Sequence, residues 1–154
     1  MNHSWKIGFN FGVTSGIITT LGLMVGLNTA TSSRLAIIGG ILTIAIADAC
    51  SDALGIHISR EGENNHTKKQ IWESTFSTFF FKFIFASIFI LPFLVFSLTN
   101  AVIFNLIFGT ILLTLFSYNL SKKNKWNVVF EHLLLAVLVI ALSYGVGKLV
   151  ELLF

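Results

Sequence analysis

The chain has 154 residues, of which 55% are hydrophobic, 14% aromatic and only 11% charged, with a mean hydropathy of +0.84. A soluble domain carries about 25% charge and has no interior able to hide this much Phe, Leu and Ile, so the composition calls for bilayer lipid as solvent. The net charge of +3 is carried by basic residues that fall between apolar runs, which excludes a nucleic-acid patch, and with Cys50 as the only cysteine a disulfide within the chain is excluded too.

Charges divide the sequence into five apolar segments, each near the roughly 20 residues that cross hydrocarbon. They predict an all-α integral membrane protein, a single transmembrane domain over 1–154 with five transmembrane helices. The first span covers about 7–27; no small-residue cleavage site follows it, so it reads as a retained helix rather than a signal peptide. Gly8, Gly12 and Gly16 recur in it at four-residue spacing, followed by Gly22 and Gly26. Small residues at this interval let helices approach closely in lipid, either as ordinary packing or as a dimer seam or pathway. Thr14, Ser15, Thr19 and Thr20 add hydroxyls that suit both uses.

The second span, about 35–59, contains Asp48 and Asp52. The stretch 60–74, "REGENNHTKKQIWES", reads as a short cytoplasmic loop. The third span, about 76–98, is interrupted by Lys82 and carries a bend at Pro92. "SLTN" alone separates it from the fourth, about 101–120, which predicts a tight helical hairpin; the fifth covers about 128–150. Lys6, Arg60, Lys68, Lys69, Lys122, Lys123 and Lys125 fall on one side of this arrangement, and only Arg34 and Lys148 on the other. The positive-inside rule therefore expects a cytoplasmic N-terminus and an external C-terminus, with Trp5, Trp72 and Trp126 in an aromatic belt at the cytoplasmic ends.

An intramembrane aspartate costs about 2.5–3.5 kcal/mol on insertion scales, so such residues face a cavity, pair with a base or bind an ion. On a helix Asp48, Ser51, Asp52, Gly55 and Ser59 share one face, and the same period continues to Glu63 and His66. Lys82 lies inside the third span and offers a salt bridge, but a single lysine cannot neutralise two acids. Two carboxylates a turn apart suit a divalent cation, or one exchanged for protons, and oxygen donors favour Mg²⁺, Mn²⁺ or Fe²⁺ over Cu⁺. Asp48, Asp52 and Ser51 are the candidate intramembrane metal ligands, with Glu61, Glu63 and His66 as a cytoplasmic mouth. Cys50 reads as packing, Glu131 and His132 as interfacial, and no constellation of an enzyme or bound cofactor is visible.

The runs "GVTSGIITTLGLMVGL", "ADACSDALGIHISREGE", "STFFFKFIFASIFILPFL" and "SYGVGKLVE" resemble, in order, the vacuolar iron transporter family in its small prokaryotic form. The most specific part is "SDALGIHISREGE", similar to that family's Ser-Met-Gly-Leu-Gly-x-Tyr-Leu-x-x-x-Ser-Glu helix end. The resemblance implies a five-helix subunit whose second helix extends into the cytosol, and a homodimer with its pathway between protomers. It further implies a prokaryotic cell membrane and export of Fe²⁺ or Mn²⁺ in exchange for protons. The chain departs from the larger members at two positions, having Ser15 where they carry Asp and Asp52 where they carry Met, and it reduces their Glu-rich insertion to "REGENNHTKK". Two functions stay open: a divalent-metal transporter, or a non-transporting structural protein in which Asp48, Asp52 and Lys82 form a buried polar network.

Overall fold

A computed structural model describes residues 2–63, 65–120 and 124–154. The described residues form helices α1 (His3–Thr31), α2 (Arg34–Gly62), α3 (Lys68–Ile88), α4 (Leu91–Val95), α5 (Leu98–Leu120) and α6 (Lys125–Leu153), and no strand. Since α3 and α4 are two parts of one broken span, the described residues hold five helices long and apolar enough to cross a membrane. Three of them have 29 residues, about 43 Å at 1.5 Å per residue, which exceeds a hydrocarbon core of about 30 Å.

Local chemistry fixes most of the helix ends. Asn2 caps α1 by accepting from the Trp5 amide at 3.0 Å, and Ser32 closes it in a left-handed conformation, φ 48°. Ser33 then caps α2 through the Ala36 amide. Thr67 and Gln70 form a reciprocal capping box that starts α3. These ends shorten the expected 60–74 loop to 63–67, of which Asn64 lies outside the described residues. Apolar runs report where lipid stops, whereas a helix continues into water until a cap ends it.

The third span breaks beside Pro92, as its proline predicts: α3 ends at Ile88 and α4 restarts at Leu91. Asn105, fully buried on α5, donates to the Phe89 carbonyl at 2.9 Å and so satisfies an acceptor released by the break. Phe96 and Ser97 alone separate α4 from α5, and Arg34 ties this turn to α2 by donating to the Phe96 carbonyl at 2.8 Å.

Helix α1 is the hub: α3 packs against its first half and α6 against its second, and α2 and α5 also lie against it. Its glycines set the spacing. A Cβ on Gly8 would lie 2.5 Å from the Ser74 carbonyl oxygen, and one on Gly12 2.7 Å from that of Thr78. Farther along the helix a Cβ at Gly22 would lie 2.7 Å from Val139 Cγ1. The glycine rows are therefore consumed by packing within the subunit, which removes the reading of that face as a dimer seam.

Lys6 and the α2–α3 turn lie at one end of the bundle: Asn2 donates to Glu73 at 2.8 Å and Ser77 donates to the Trp5 carbonyl at 2.7 Å. Arg34 lies at the other end. Lys122 and Lys123 fall outside the described residues.

Candidate functional site

Helix α2 turns Ile37, Ile41, Ala45, Ala49 and Ala53 into the protein, a row with one residue every four. Asp48 and Asp52 each precede a buried alanine and therefore flank this row, with side chains 33% and 21% exposed. Lys82 reaches them from α3. Its backbone can approach α1 because Gly12 and Gly16 lack side chains: a Cβ at Gly16 would sit 3.2 Å from the Lys82 carbonyl oxygen and 3.4 Å from its Cγ. Glycine on one helix thus makes room for a lysine stem on the next.

The Lys82 ammonium, 1% exposed, lies 2.5 Å from Asp48 Oδ2 and makes a short ion pair with Asp52 Oδ2. It also donates to Ser15 Oγ at 3.0 Å, and Ser15 donates to Asp52 Oδ2 at 2.8 Å. One cation therefore contacts both acids, where the sequence expected a single lysine to neutralise only one of them. Two carboxylates and one ammonium leave the fully ionised cluster with one net negative charge. Ser15, the position where the resembled family carries Asp, is a hydroxyl bridge in the same network.

The rest of the expected stripe divides. Ser51, Gly55 and Ser59 face outward, on the exposed side of α2 and away from the ammonium. The helix ends at Gly62, so Glu63 and His66 do not continue its line. His66 instead folds back in the turn, with Nε2 2.8 Å from Glu63 Oε2 and Arg60 Nη1 against both ring nitrogens, 2.5 Å from Nε2 and 3.1 Å from Nδ1. Arg60 is 93% buried by the α2–α3 turn, a role its sequence position did not announce. Glu61 is exposed and makes no ion pair among the described residues. No three His, Cys, Asp or Glu side chains among the described residues come together as a ready metal site.

Two minor expectations change. Cys50 is exposed rather than packed; it lines an apolar groove of about 390 Å³ with His57 and Trp72. His132, at the start of α6, holds the buried Ser117 at 2.7 Å, while Glu131 faces outward.

No family model, curated protein or solved structure matches the chain.

Proposed function

We propose that the protein exports a divalent metal cation, Fe²⁺ or Mn²⁺, from the cytosol in exchange for protons. In this reading it lies in a cell membrane with its N-terminus inside, and two copies enclose the pathway between their α2 helices. The observation that carries it is the pair of half-exposed carboxylates, Asp48 and Asp52, held on one side by a buried ammonium and open on the other. A cation at the open side meets two acids already oriented, oxygen donors of the kind hard ions take.

Charge supports the coupling. Each cluster carries one net negative charge when fully ionised, so two facing clusters match one divalent cation or two protons. One protomer supplies only half the oxygen ligands such an ion prefers, about six or more, which gives a second copy a chemical role. The outward face of α2 suits that copy. Gly39, Thr43, Ala47, Ser51, Gly55 and Ser59 form an exposed row of small residues beside the aspartates, and small residues drive helix association in lipid. Glu61, Glu63 and His66 are the cytoplasmic mouth in this arrangement.

The test is Mn²⁺ flux into or out of proteoliposomes under a pH gradient. Wild type should move the ion and acidify or alkalinise the lumen accordingly, and Asp52→Ala should abolish flux while leaving the dimer intact. Equal flux in Asp52→Ala would overturn the assignment.

A second reading draws on the near-complete burial of Lys82 and its contact with both acids. There the cluster is a non-transporting structural network that fixes the register of α1, α2 and α3. Purified wild type would then show no thermal stabilisation by Mg²⁺, Mn²⁺, Fe²⁺, Co²⁺ or Zn²⁺, whereas a bound ion raises stability by mass action.

A further inference from the structure

We infer that the cavity between α1 and α5 at the amino-terminal end of the bundle holds one anionic phospholipid, with its phosphate on Lys6. This site is remote from the aspartate cluster and independent of what that cluster does. The cavity has a volume of about 340 Å³ and is amphipathic: Lys6, Asn10 and Asn119 line one part, and Phe9, Leu112 and Phe116 another. Lys6 and Asn10 are one turn apart on α1, so ammonium and amide face the same space. No acid lines the cavity, and Lys6 has no ion pair among the described residues.

Depth gives the kind of ligand. Trp5 adjoins Lys6, and Tyr118 adjoins Asn119; the Tyr118 ring meets Trp126 at 5.4 Å and carries the Lys125 ammonium 4.5 Å from its centroid. Aromatic rings and lysines of this sort sit at headgroup level. From there Leu112 lies two turns deeper on α5 than Asn119, and the Phe9 and Phe116 rings, 5.6 Å apart, form the apolar wall. The polar part is thus at the height of a phosphate and the apolar part at the height of the first acyl carbons. A second protein helix would bury the unpaired Lys6 ammonium against hydrocarbon at high cost. A lipid phosphate pairs it, and basic pockets between transmembrane helices recognise anionic headgroups by the same electrostatics.

Native mass spectrometry of the purified full chain, titrated with phosphatidylglycerol and with phosphatidylcholine, tests the site. One phosphatidylglycerol per chain should be retained in preference to phosphatidylcholine. Lys6→Gln should weaken that retention about fivefold, the worth of one lysine at an anionic surface. Lys68→Gln, a lysine of the same end but outside the cavity, should leave it unchanged. Leu112→Trp, which fills the acyl part, should also weaken it. Equal retention of the two lipids, or an equal loss from Lys68→Gln, would overturn the site. A loss from Lys6→Gln with none from Leu112→Trp would also do so, since it would mean that a phosphate alone is held. Unfolding temperature without lipid, the same in all variants, keeps these outcomes separate from misfolding.

Discussion

Helix α2 carries two acid–base clusters that use similar chemistry in different solvents. Midway along it, Lys82 joins Asp48 and Asp52 with its ammonium only 1% exposed. At its end, His66 joins Glu63 and Arg60 with the glutamate side chain 54% exposed. Contact distances are much alike, 2.5 Å from Lys82 to Asp48 and 2.8 Å from His66 to Glu63. Their energetic weights are not, because the field between charges scales inversely with dielectric and water screens the second cluster more than the first. Distance alone says little about what an ion pair contributes; the medium around it decides.

The largest effect should come from removing the shared cation. Lys82→Met leaves two carboxylates facing each other with no counter-charge, and breaking a buried pair costs about 3–5 kcal/mol. The partial exposure of Asp48 and Asp52 places the expected loss toward the lower end of that range. Thermal unfolding in detergent measures it. Adding Asp48→Asn and Asp52→Asn should restore most of the stability while leaving metal flux absent. A Lys82→Met variant as stable as wild type would show that the mid-helix cluster is no more consequential than the exposed one.

The next effect concerns how Lys82 is held in place. Gly12→Val puts a side chain where even a Cβ would lie 2.7 Å from the Thr78 carbonyl oxygen and 3.0 Å from the Lys82 amide nitrogen. Overpacking of this kind costs about 1–3 kcal/mol, and here it also pushes the ammonium away from Asp52. Gly55→Ala is the control on α2, since nothing lies within 4 Å of a Cβ there. The first should lower the unfolding temperature and the second should not. The second should instead weaken dimerisation, read by cross-linking in liposomes, if the small-residue face of α2 is the seam. Equal unfolding temperatures for the two variants would mean that α1 and α3 do not need their close approach.

Much of the fold could be read from the sequence because lipid imposes a simple code of length and apolarity. The five spans follow from charge punctuation, and the break in the third span follows from Pro92. The site was only half legible. Helical period placed Asp48 and Asp52 together correctly, but it also assigned Ser51, Gly55 and Ser59 to the same direction. A face about 100° wide does not distinguish the row turned toward α3 from the row turned outward. Small residues occupy both rows, so the distinction rests on which row the neighbouring helices cover, and that is the row of Ala45, Ala49 and Ala53. The bond from Ser15 to Asp52 spans 37 residues and no local pattern announces it. Burial of Arg60 was hidden for a similar reason: the 60–74 stretch is polar, and polarity alone concealed a turn tight enough to enclose it.

The smallest effect belongs to the exposed cluster. Glu63→Gln removes a charge from His66 but keeps an acceptor oxygen at the same place. Exposed pairs contribute about 0–1 kcal/mol, so the unfolding temperature should barely move, and less still in high salt, where the wild-type pair is screened. Arg60 keeps its contact with the His66 ring in this variant, so its buried guanidinium is not abandoned. His66→Ala differs: it removes that ring while Arg60 Nη2 already lacks a hydrogen-bond partner among the described residues. A buried donor left unsatisfied costs about 1–3 kcal/mol, so His66→Ala should exceed Glu63→Gln, and salt should not erase the difference. If salt did erase it, the turn would be held by the exposed Glu63–His66 pair, and the contrast between a screened and an unscreened cluster would move inside the turn itself.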